Sequence, residues 1–435
     1  MLTALARGAG VAFVLLVSSL GLKYLAQVVL AQWMGTVEYG IYEYVISWIL
    51  LLAILAELGL PTAVVRFIPE YSVQEDWGRL RGLIRGSWQL ILLAGFLLAL
   101  GGVASILGLS TIRQWAYSTP MLVGIWMVPL VALAHLQSEM ARAAGQITLA
   151  YAPFQVIWHL LVMLGAFVLF QQNQTLTSVP AITLSILGLL VVVLVQLWLL
   201  RGRWNQQVYC TPPIYKPREW LAVAFPLLLT AGFHILLSQI DILMIGAWVG
   251  PKAVGIYSVA AKTSIWASVV LQAVNTVAAP AFSALYVQGD RQSLQRLVST
   301  VAHWIFWPSL MIALCLIGFA ESILGIFGSE FVAARGEMTI LVLGQLVNVG
   351  AGSVGYLMSM TGHQNQSAYI FGYSALLNVV LNAIAIPMLG TIGAAIATAT
   401  TMAMWNIWLH ILVVKYLGIA PSIVSTLAAK ISSRR

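Results

Sequence analysis

The sequence predicts an all-α integral membrane protein with twelve transmembrane helices in two six-helix bundles. Hydrophobic residues make up 61% of the 435 residues and charged residues only 8%, whereas a soluble domain carries roughly 25% charged residues. The apolar residues fall into long segments separated by short polar connections. A ten-residue pattern that begins at Trp33 recurs 215 positions later, close to half the chain length. Such a recurrence predicts two copies of one structural unit.

The apolar segments define the predicted helices. A transmembrane helix needs about 20 mostly apolar residues, and twelve segments meet this requirement. The first segment has no small-residue cleavage site and is interpreted as a retained span rather than a signal peptide. The predicted spans are 9–33, 41–66, 83–107, 118–140, 149–171, 180–200, 219–247, 255–286, 298–320, 338–360, 366–387 and 390–416.

The basic residues predict the orientation of these spans. Sixteen of the 21 Lys and Arg residues fall on the same side as the N-terminus, and only Arg113, Lys252 and Arg335 fall on the other. Lys23 and Lys262 lie within spans. Because basic residues concentrate in cytoplasmic connections, both termini are predicted to be cytoplasmic. The same bias accounts for the net charge of +8, so no nucleic-acid partner is expected.

A proline-containing polar connection at 201–218 divides the predicted spans into six and six. The predicted domains are an N-terminal bundle at 1–205, a cytoplasmic linker at 206–218, and a C-terminal bundle with a short tail at 219–435. Six spans are an even number, so both copies enter the membrane from the same side and form a parallel repeat.

The repeated pattern itself reads WMGTVEYGIY at 33–42 and WVGPKAVGIY at 248–257, with five identical positions. Internal repeats of this kind are common in secondary transporters. The alternative interpretation is a shared connection between two spans, in which the glycines serve only the turn.

Several segments together resemble one protein family. The resemblance covers nearly the whole chain, and the segments occur in the family's order. The segments are VEYGIYEYVISWILLLAILAELGLPTAVVRFIPEY (37–71), QIDILMIGAWVGPKAVGIYSVAAK (239–262), APAFSALYVQGDRQSL (279–294), IFGSEFVAA (326–334), MSMTGHQNQSA (358–368) and TIGAAIATA (391–399). With these segments, the chain is similar to polysaccharide flippases of the multidrug/oligosaccharidyl-lipid/polysaccharide exporter superfamily.

The resemblance implies that the two bundles form a V-shaped cleft and work by alternating access. It implies export of undecaprenyl-pyrophosphate-linked oligosaccharide across the bacterial inner membrane, with a polysaccharide polymerase and a chain-length regulator as expected partners. Lipid II flippases of the superfamily usually have two further C-terminal spans. Their absence favours an O-antigen, exopolysaccharide or teichuronic-type repeat unit. No catalytic activity, metal or cofactor is expected. The residues leave open whether a coupling ion is needed, and H⁺ and Na⁺ are the candidates.

Cationic side chains within or near the spans are the first candidate site residues. Lys23 and Lys262 would offset the desolvation of a pyrophosphate in a cationic cleft that also includes Arg66 and Arg142. The alternatives are structural ion pairs or side chains that extend to the interface. For Arg66, the cytoplasmic bias of basic residues is a sufficient explanation.

Acidic residues and one histidine are the candidates for coupling or gating. Glu57 precedes Gly59 and Pro61, and it is interpreted either as a proton or cation site or as part of a structural kink. Asp241 shares a helix face with His234 and is predicted to pair with Lys262, as a breakable or as a fixed salt bridge.

His135, Glu139 and Arg142 share a face of one predicted helix. This stripe is interpreted either as a contact for an anionic headgroup or as an ordinary hydrated helix end.

Two other functions are alternatives to the flippase. A cation-coupled multidrug exporter of the same superfamily would favour an acidic cavity, and the two intramembrane lysines argue against it. A membrane-bound polymerase or ligase would present a large external loop, whereas the external connections predicted here are short.

Overall fold

The computed structural model describes residues 2–112, 115–173, 175–202, 208 and 210–423, with side chains from Ser18 onward except at 112 and 173. Several predicted features lie outside this description. They are the side chains of Arg7, Arg113 and Arg203, the rest of the linker at 203–207 and 209, and the tail at 424–435.

The described elements are all helical, so the prediction of an all-α membrane fold is confirmed. Ten helical stretches within the described residues are long and apolar enough to cross a membrane. Two of them, Ser18–Ala56 and Gln364–Leu417, contain a non-helical glycine, Gly35 and Gly390 respectively. The count of twelve spans stays a prediction.

The described residues form sixteen α-helices, which are numbered in chain order. The first eight are α1 (Leu2–Ala56), α2 (Leu60–Val73), α3 (Trp77–Ile112), α4 (Ser118–Gly124), α5 (Met127–Ala143), α6 (Ile147–Ala152), α7 (Trp158–Asn173) and α8 (Ser178–Arg201). The others are α9 (Pro217–Trp248), α10 (Pro251–Ser264), α11 (Val269–Val287), α12 (Arg291–Gly318), α13 (Ala320–Gly325), α14 (Arg335–Ala351), α15 (Val354–Met360) and α16 (Gln364–Leu417). Short π or 3₁₀ turns occur at Pro153–Ile157, Ile265–Ser268 and Ser329–Ala334.

The chain divides into two compact units, Met1–Gln239 and Ile240–Arg435, and the division falls within α9. In the first unit, α5 packs against α1, α2, α3 and α8. Its buried residues follow one another almost without interruption, as expected of a helix surrounded by others. The predicted domain boundary at the 206–218 linker stays a prediction.

The core of the second unit lies between α11, α12, α15 and α16. Phe282, Ile305, Leu357 and Leu409 are almost fully buried there and belong to one apolar cluster. Interlocking side chains of this kind fix the relative positions of helices inside one unit.

Helix α3 shows how the apolar residues are distributed between the core and the bilayer. Leu93, Leu97 and Leu100 lie at spacings of four and three residues and are each more than half exposed. Leu83 and Ile91, which lie outside this stripe, are fully buried. A continuous exposed apolar stripe on a long helix indicates contact with lipid rather than water.

The two copies of the repeated pattern have the same local backbone. Gly35 has φ 70° and ψ 176°, and Gly250 has φ 118° and ψ 179°. This extended conformation with positive φ is essentially restricted to glycine. The tyrosines of the pattern are buried in both copies: the Tyr42 hydroxyl lies 3.3 Å from Ser185 Oγ, and the Tyr257 hydroxyl donates to Asp241. The pattern therefore specifies a turn and also a buried contact between helices.

A stripe of glycines on α3 receives the end of the linker. Gly78, Gly82 and Gly86 recur at four-residue spacing, and a Cβ atom on Gly82 would lie 1.9 Å from the carbonyl oxygen of Ile214. The Ile214 amide donates to the Gly78 carbonyl at 2.9 Å. Trp220 is fully buried and covers Gly86. The chain before α9 is thus bound to the surface of α3 by direct backbone contact.

Candidate functional site

A break between α1 and α2 positions the first acidic candidate. Helix α1 ends at Ala56, and Leu58 and Gly59 have positive φ values of 52° and 73° before α2 begins at Leu60. From the sequence, the kink expected near Glu57 is attributed to Pro61. In the structure, Pro61 lies in the first turn of α2, where proline is tolerated, and the left-handed residues reverse the backbone. Glu57 is only 5% exposed at this break.

The Glu57 carboxylate is paired with a side chain from α5. His135 Nδ1 lies 2.5 Å from Glu57 Oε1. The pair forms because α2 packs against α5, although the two residues are 78 positions apart in the chain. A buried carboxylate without a partner would be costly, so this contact also stabilises the break.

Glu57 and His135 line a cavity of about 350 Å³ in the first unit. Lys23 from α1 and Glu139 and Arg142 from α5 line the same cavity. Four of the eight predicted site residues, Lys23, Glu57, Glu139 and Arg142, are therefore brought together. Arg142 forms an ion pair with Glu139. The cavity is lined by charges of both signs, rather than by cations alone.

A π turn at Pro153–Ile157 contributes two further residues to this cavity. Gln155 Oε1 accepts hydrogen bonds from Lys23 Nζ and Ser19 Oγ, both at 3.2 Å. The Phe154 ring packs edge-to-face on the His135 ring, with 4.8 Å between centroids. The sequence analysis missed both residues. The signal available was Pro153, which interrupts the i→i−4 bonding of a helix and favours such a turn.

A second polar site lies in the Ile240–Arg435 unit. Asp241 is 5% exposed, and its carboxylate accepts hydrogen bonds from the Tyr257 hydroxyl at 2.5 Å, the Ile242 amide at 2.8 Å and the Thr398 hydroxyl at 3.4 Å. Three donors from α9, α10 and α16 therefore surround this carboxylate. Lys262 is half-buried on α10, and its pairing with Asp241 stays a hypothesis.

The remaining predicted residues lie elsewhere. Arg66 is exposed on α2, with its Nε 3.8 Å from Glu70 Oε2, and it does not line the cavity that holds Glu57. His234 is exposed on α9 and belongs to the first unit, whereas Asp241 belongs to the second. No group of three or more His, Cys, Asp or Glu side chains suited to a metal ion occurs in the part of the chain that the structure describes.

Solved structures with the same architecture define the class of protein. A multidrug resistance MATE family transporter of the MOP superfamily, in an inward-facing conformation, aligns with a TM-score of 0.76 and 14% identity over 91% of this chain and 94% of its own. The lipid II flippase MurJ, in an inward closed conformation, aligns with a TM-score of 0.72 and 16% identity over 93% of this chain and 87% of its own. The chain therefore has the fold of these membrane transporters.

Sequence comparison identifies the family. The model of the polysaccharide biosynthesis protein family matches residues 5–286, and the MatE model matches residues 226–384. The chain belongs to the polysaccharide biosynthesis protein family, as its segments predicted. These findings indicate a transporter rather than an enzyme.

One curated relative is the probable low-salt glycan biosynthesis flippase Agl15 of Haloferax volcanii. It is 28% identical over 178 residues, which are 40% of this chain and 37% of the relative. The match therefore spans well under half of either protein.

Proposed function

We propose that the protein is a flippase that moves an undecaprenyl-pyrophosphate-linked oligosaccharide across the membrane by alternating access. The match of the polysaccharide biosynthesis family model to residues 5–286 is the observation that carries this proposal. The similarity to a probable glycan flippase and to a lipid II flippase supports it. The product would supply the synthesis of a cell-surface polysaccharide, such as an O-antigen, a lipopolysaccharide or an exopolysaccharide.

The mixed charges of the 350 Å³ cavity suggest how an anionic substrate and a proton would be linked. In the empty protein, Glu139 neutralises Arg142 and Glu57 contacts His135. A pyrophosphate must compete with Glu139 for the guanidinium group. Protonation of Glu139 removes this competition and releases Arg142 for the phosphate oxygens. Proton uptake and substrate binding would then favour each other, so the proton and the substrate would cross the membrane together.

The second unit offers a separate polar centre at Asp241. Its three hydrogen-bond donors hold a carboxylate in the unit that also contains Lys262. We assign Lys262 to the substrate pyrophosphate, and Asp241 to gating or to binding of the coupling ion, H⁺ or Na⁺. The exposed Arg66 and His234 are assigned to attraction of the headgroup and to gating, respectively.

A cation-coupled multidrug exporter is the second candidate function. The MatE model match at 226–384 and the two carboxylates in the first-unit cavity favour it. The two functions differ in the charge of the transported molecule. A cationic drug would pair with Glu57 and Glu139, whereas a pyrophosphate would pair with Lys23 and Arg142.

Transport by the purified full-length protein in proteoliposomes tests the proposal. A fluorescent polyprenyl-pyrophosphate oligosaccharide is supplied inside, and its exposure to an external lectin is followed with and without an imposed proton or sodium gradient. Glu57→Gln should slow exposure by about tenfold or more, because it removes the charge that faces His135. Glu75→Gln is the matched control, since Glu75 is exposed in the connection that follows α2. Exposure no faster than in empty vesicles, together with movement of a cationic dye, would support the drug exporter instead.

The proposed location is the bacterial inner membrane, with both termini cytoplasmic, and the proposed partners are a polysaccharide polymerase and a chain-length regulator. Cys210 is exposed near the start of the segment that contacts α3. In intact cells it should resist a membrane-impermeant thiol reagent and react only after the membrane is opened. Labelling of Cys210 in intact cells would reverse the proposed orientation.

A further inference from the structure

A second and larger cavity, of about 670 Å³, lies in the first unit where α3 begins, α8 ends and the linker meets α3. Three arginines line it: Arg81 and Arg85 from the first turns of α3, and Arg201 from the last turn of α8. None of them was predicted as a site residue, because the orientation bias already explained their presence. The cavity shares no lining residue with the one that holds Glu57 and Lys23.

Arg81 is held in place but has an unused donor. Its Nη1 donates to the Thr211 carbonyl at 2.6 Å, which fixes the side chain against the linker. Its Nε is buried, and no acceptor in the described part of the chain lies within hydrogen-bond distance. A buried guanidinium N–H without an acceptor is costly. A small rotation of the side chain toward an anion in the cavity would satisfy this group.

The charge of the lining is consistent with an anion. The described residues that line the 670 Å³ cavity include three arginines and no carboxylate. A topological role requires only that arginines lie on one side of the membrane. It does not require arginines from two helices to converge on one cavity, so it leaves this arrangement unexplained.

The other lining residues are mostly apolar, and they determine the kind of anion. Leu197 and Leu200 of α8 and Trp88 of α3 form part of the wall. The arginines lie near the helix ends, and Trp88 and Leu197 lie about one helical turn further along their helices. A phosphate group pairs well with the planar fork of arginine, and an apolar chain fits the leucines and the tryptophan.

We propose that this cavity binds a lipid through its phosphate headgroup, with the arginines contacting the phosphate and the apolar wall contacting the lipid chain. Two sources share this chemistry: an anionic phospholipid of the membrane, and a polyprenyl pyrophosphate. The inference does not depend on the proposed transport activity, because it concerns binding to the resting protein.

Native mass spectrometry of the purified full-length protein tests the inference. The protein is titrated separately with phosphatidylglycerol, phosphatidylcholine, polyprenyl pyrophosphate and inorganic pyrophosphate. We expect one of the two anionic lipids to bind at least about tenfold more tightly than phosphatidylcholine or inorganic pyrophosphate. The double variant Arg85→Gln/Arg201→Gln should lose about tenfold or more of this affinity, since it removes two charge-assisted contacts. Arg296→Gln, an exposed arginine of α12, is the matched control.

The outcomes distinguish the two lipid sources and also include the results that would contradict the inference. Preference for phosphatidylglycerol assigns the site to membrane lipid, and preference for polyprenyl pyrophosphate assigns it to the transported class of lipid. Equal binding of phosphatidylcholine, equal binding of free pyrophosphate, or unchanged affinity in the double variant would overturn the inference. The variant Arg85→Lys/Arg201→Lys keeps both charges, and partial recovery of binding by it shows that the glutamine variant lost charge rather than its fold.

Discussion

The contact between the linker and the glycine stripe of α3 leads to a prediction about protein stability, and another glycine of α3 provides the control. In Gly82→Ala, the new Cβ would lie 1.9 Å from the Ile214 carbonyl oxygen. The linker backbone must therefore move by roughly 1.5 Å to restore van der Waals contact. Overpacking of this kind costs about 1–3 kcal/mol. Loss of the hydrogen bond from the Ile214 amide to Gly78 adds about 1 kcal/mol. The higher helix propensity of alanine relative to glycine stabilises the variant by about 1 kcal/mol.

The net destabilisation expected for Gly82→Ala is about 1–3 kcal/mol. The same substitution at Gly101, also in α3, meets no atom within 4 Å and should stabilise the helix slightly. Thermal unfolding compares the two variants. A spin label on Cys210, with Cys315 replaced by serine, should become more mobile only in Gly82→Ala. Equal stability of the two variants, with unchanged label mobility, would refute the reasoning.

Three further predictions concern single contacts. Gly250→Ala should lower stability by about 1–3 kcal/mol, because alanine is strained at φ 118° and ψ 179°, and a melting temperature equal to that of the parent would contradict this. Tyr257→Phe removes the hydroxyl that donates to buried Asp241 at 2.5 Å, and it should lower the free energy of chemical unfolding by about 1–3 kcal/mol. Asp241→Asn should abolish transport while the protein stays folded. Hydrogen bonds from Ser293 lower the pKa of exposed Asp290, the N-cap of α12. The stabilising effect of Asp290 is therefore present above the ordinary aspartate pKa and is lost as the pH falls through the lowered pKa. Asp290→Ala should reduce stability at pH 7 and have little effect in strong acid.

The parts of the fold that depend on local sequence were predictable. Long apolar segments place the membrane helices, since a helix buried in lipid must satisfy its own backbone hydrogen bonds. The repeated glycines mark turns, and Gly35 and Gly250 indeed have positive φ. The stripe at Gly78, Gly82 and Gly86 is also visible as a four-residue spacing. The segment that packs on this stripe cannot be predicted from the sequence. Small residues show where another segment can approach closely, but they do not show which segment does so.

The sequence singles out candidate site residues but does not predict their contacts. An ionisable residue within a span is costly, and this alone singles out Lys23 and Glu57. The partners come from other helices: His135 is 78 positions from Glu57, and Gln155 is 132 positions from Lys23. Gln155 is uncharged, and its position depends on a π turn, so no charge pattern points to it. The predicted cationic cleft omitted the carboxylates that the fold places beside the cations.

The mixed charge of the 350 Å³ cavity follows from the cost of isolated charge at membrane depth. A site with only Lys23 and Arg142 would favour a pyrophosphate but would be unstable when empty. Counter-charges from Glu57 and Glu139 stabilise the empty state and must be displaced or neutralised when the substrate binds. A proton can neutralise a carboxylate without adding a separate ion to the cavity. Na⁺ would instead occupy the cavity as a further cation beside the substrate. In the proposed mechanism, the charge balance of the empty site therefore makes protons the simpler coupling ion. Transport that depends on an imposed proton gradient, and continues without sodium, is the expected consequence.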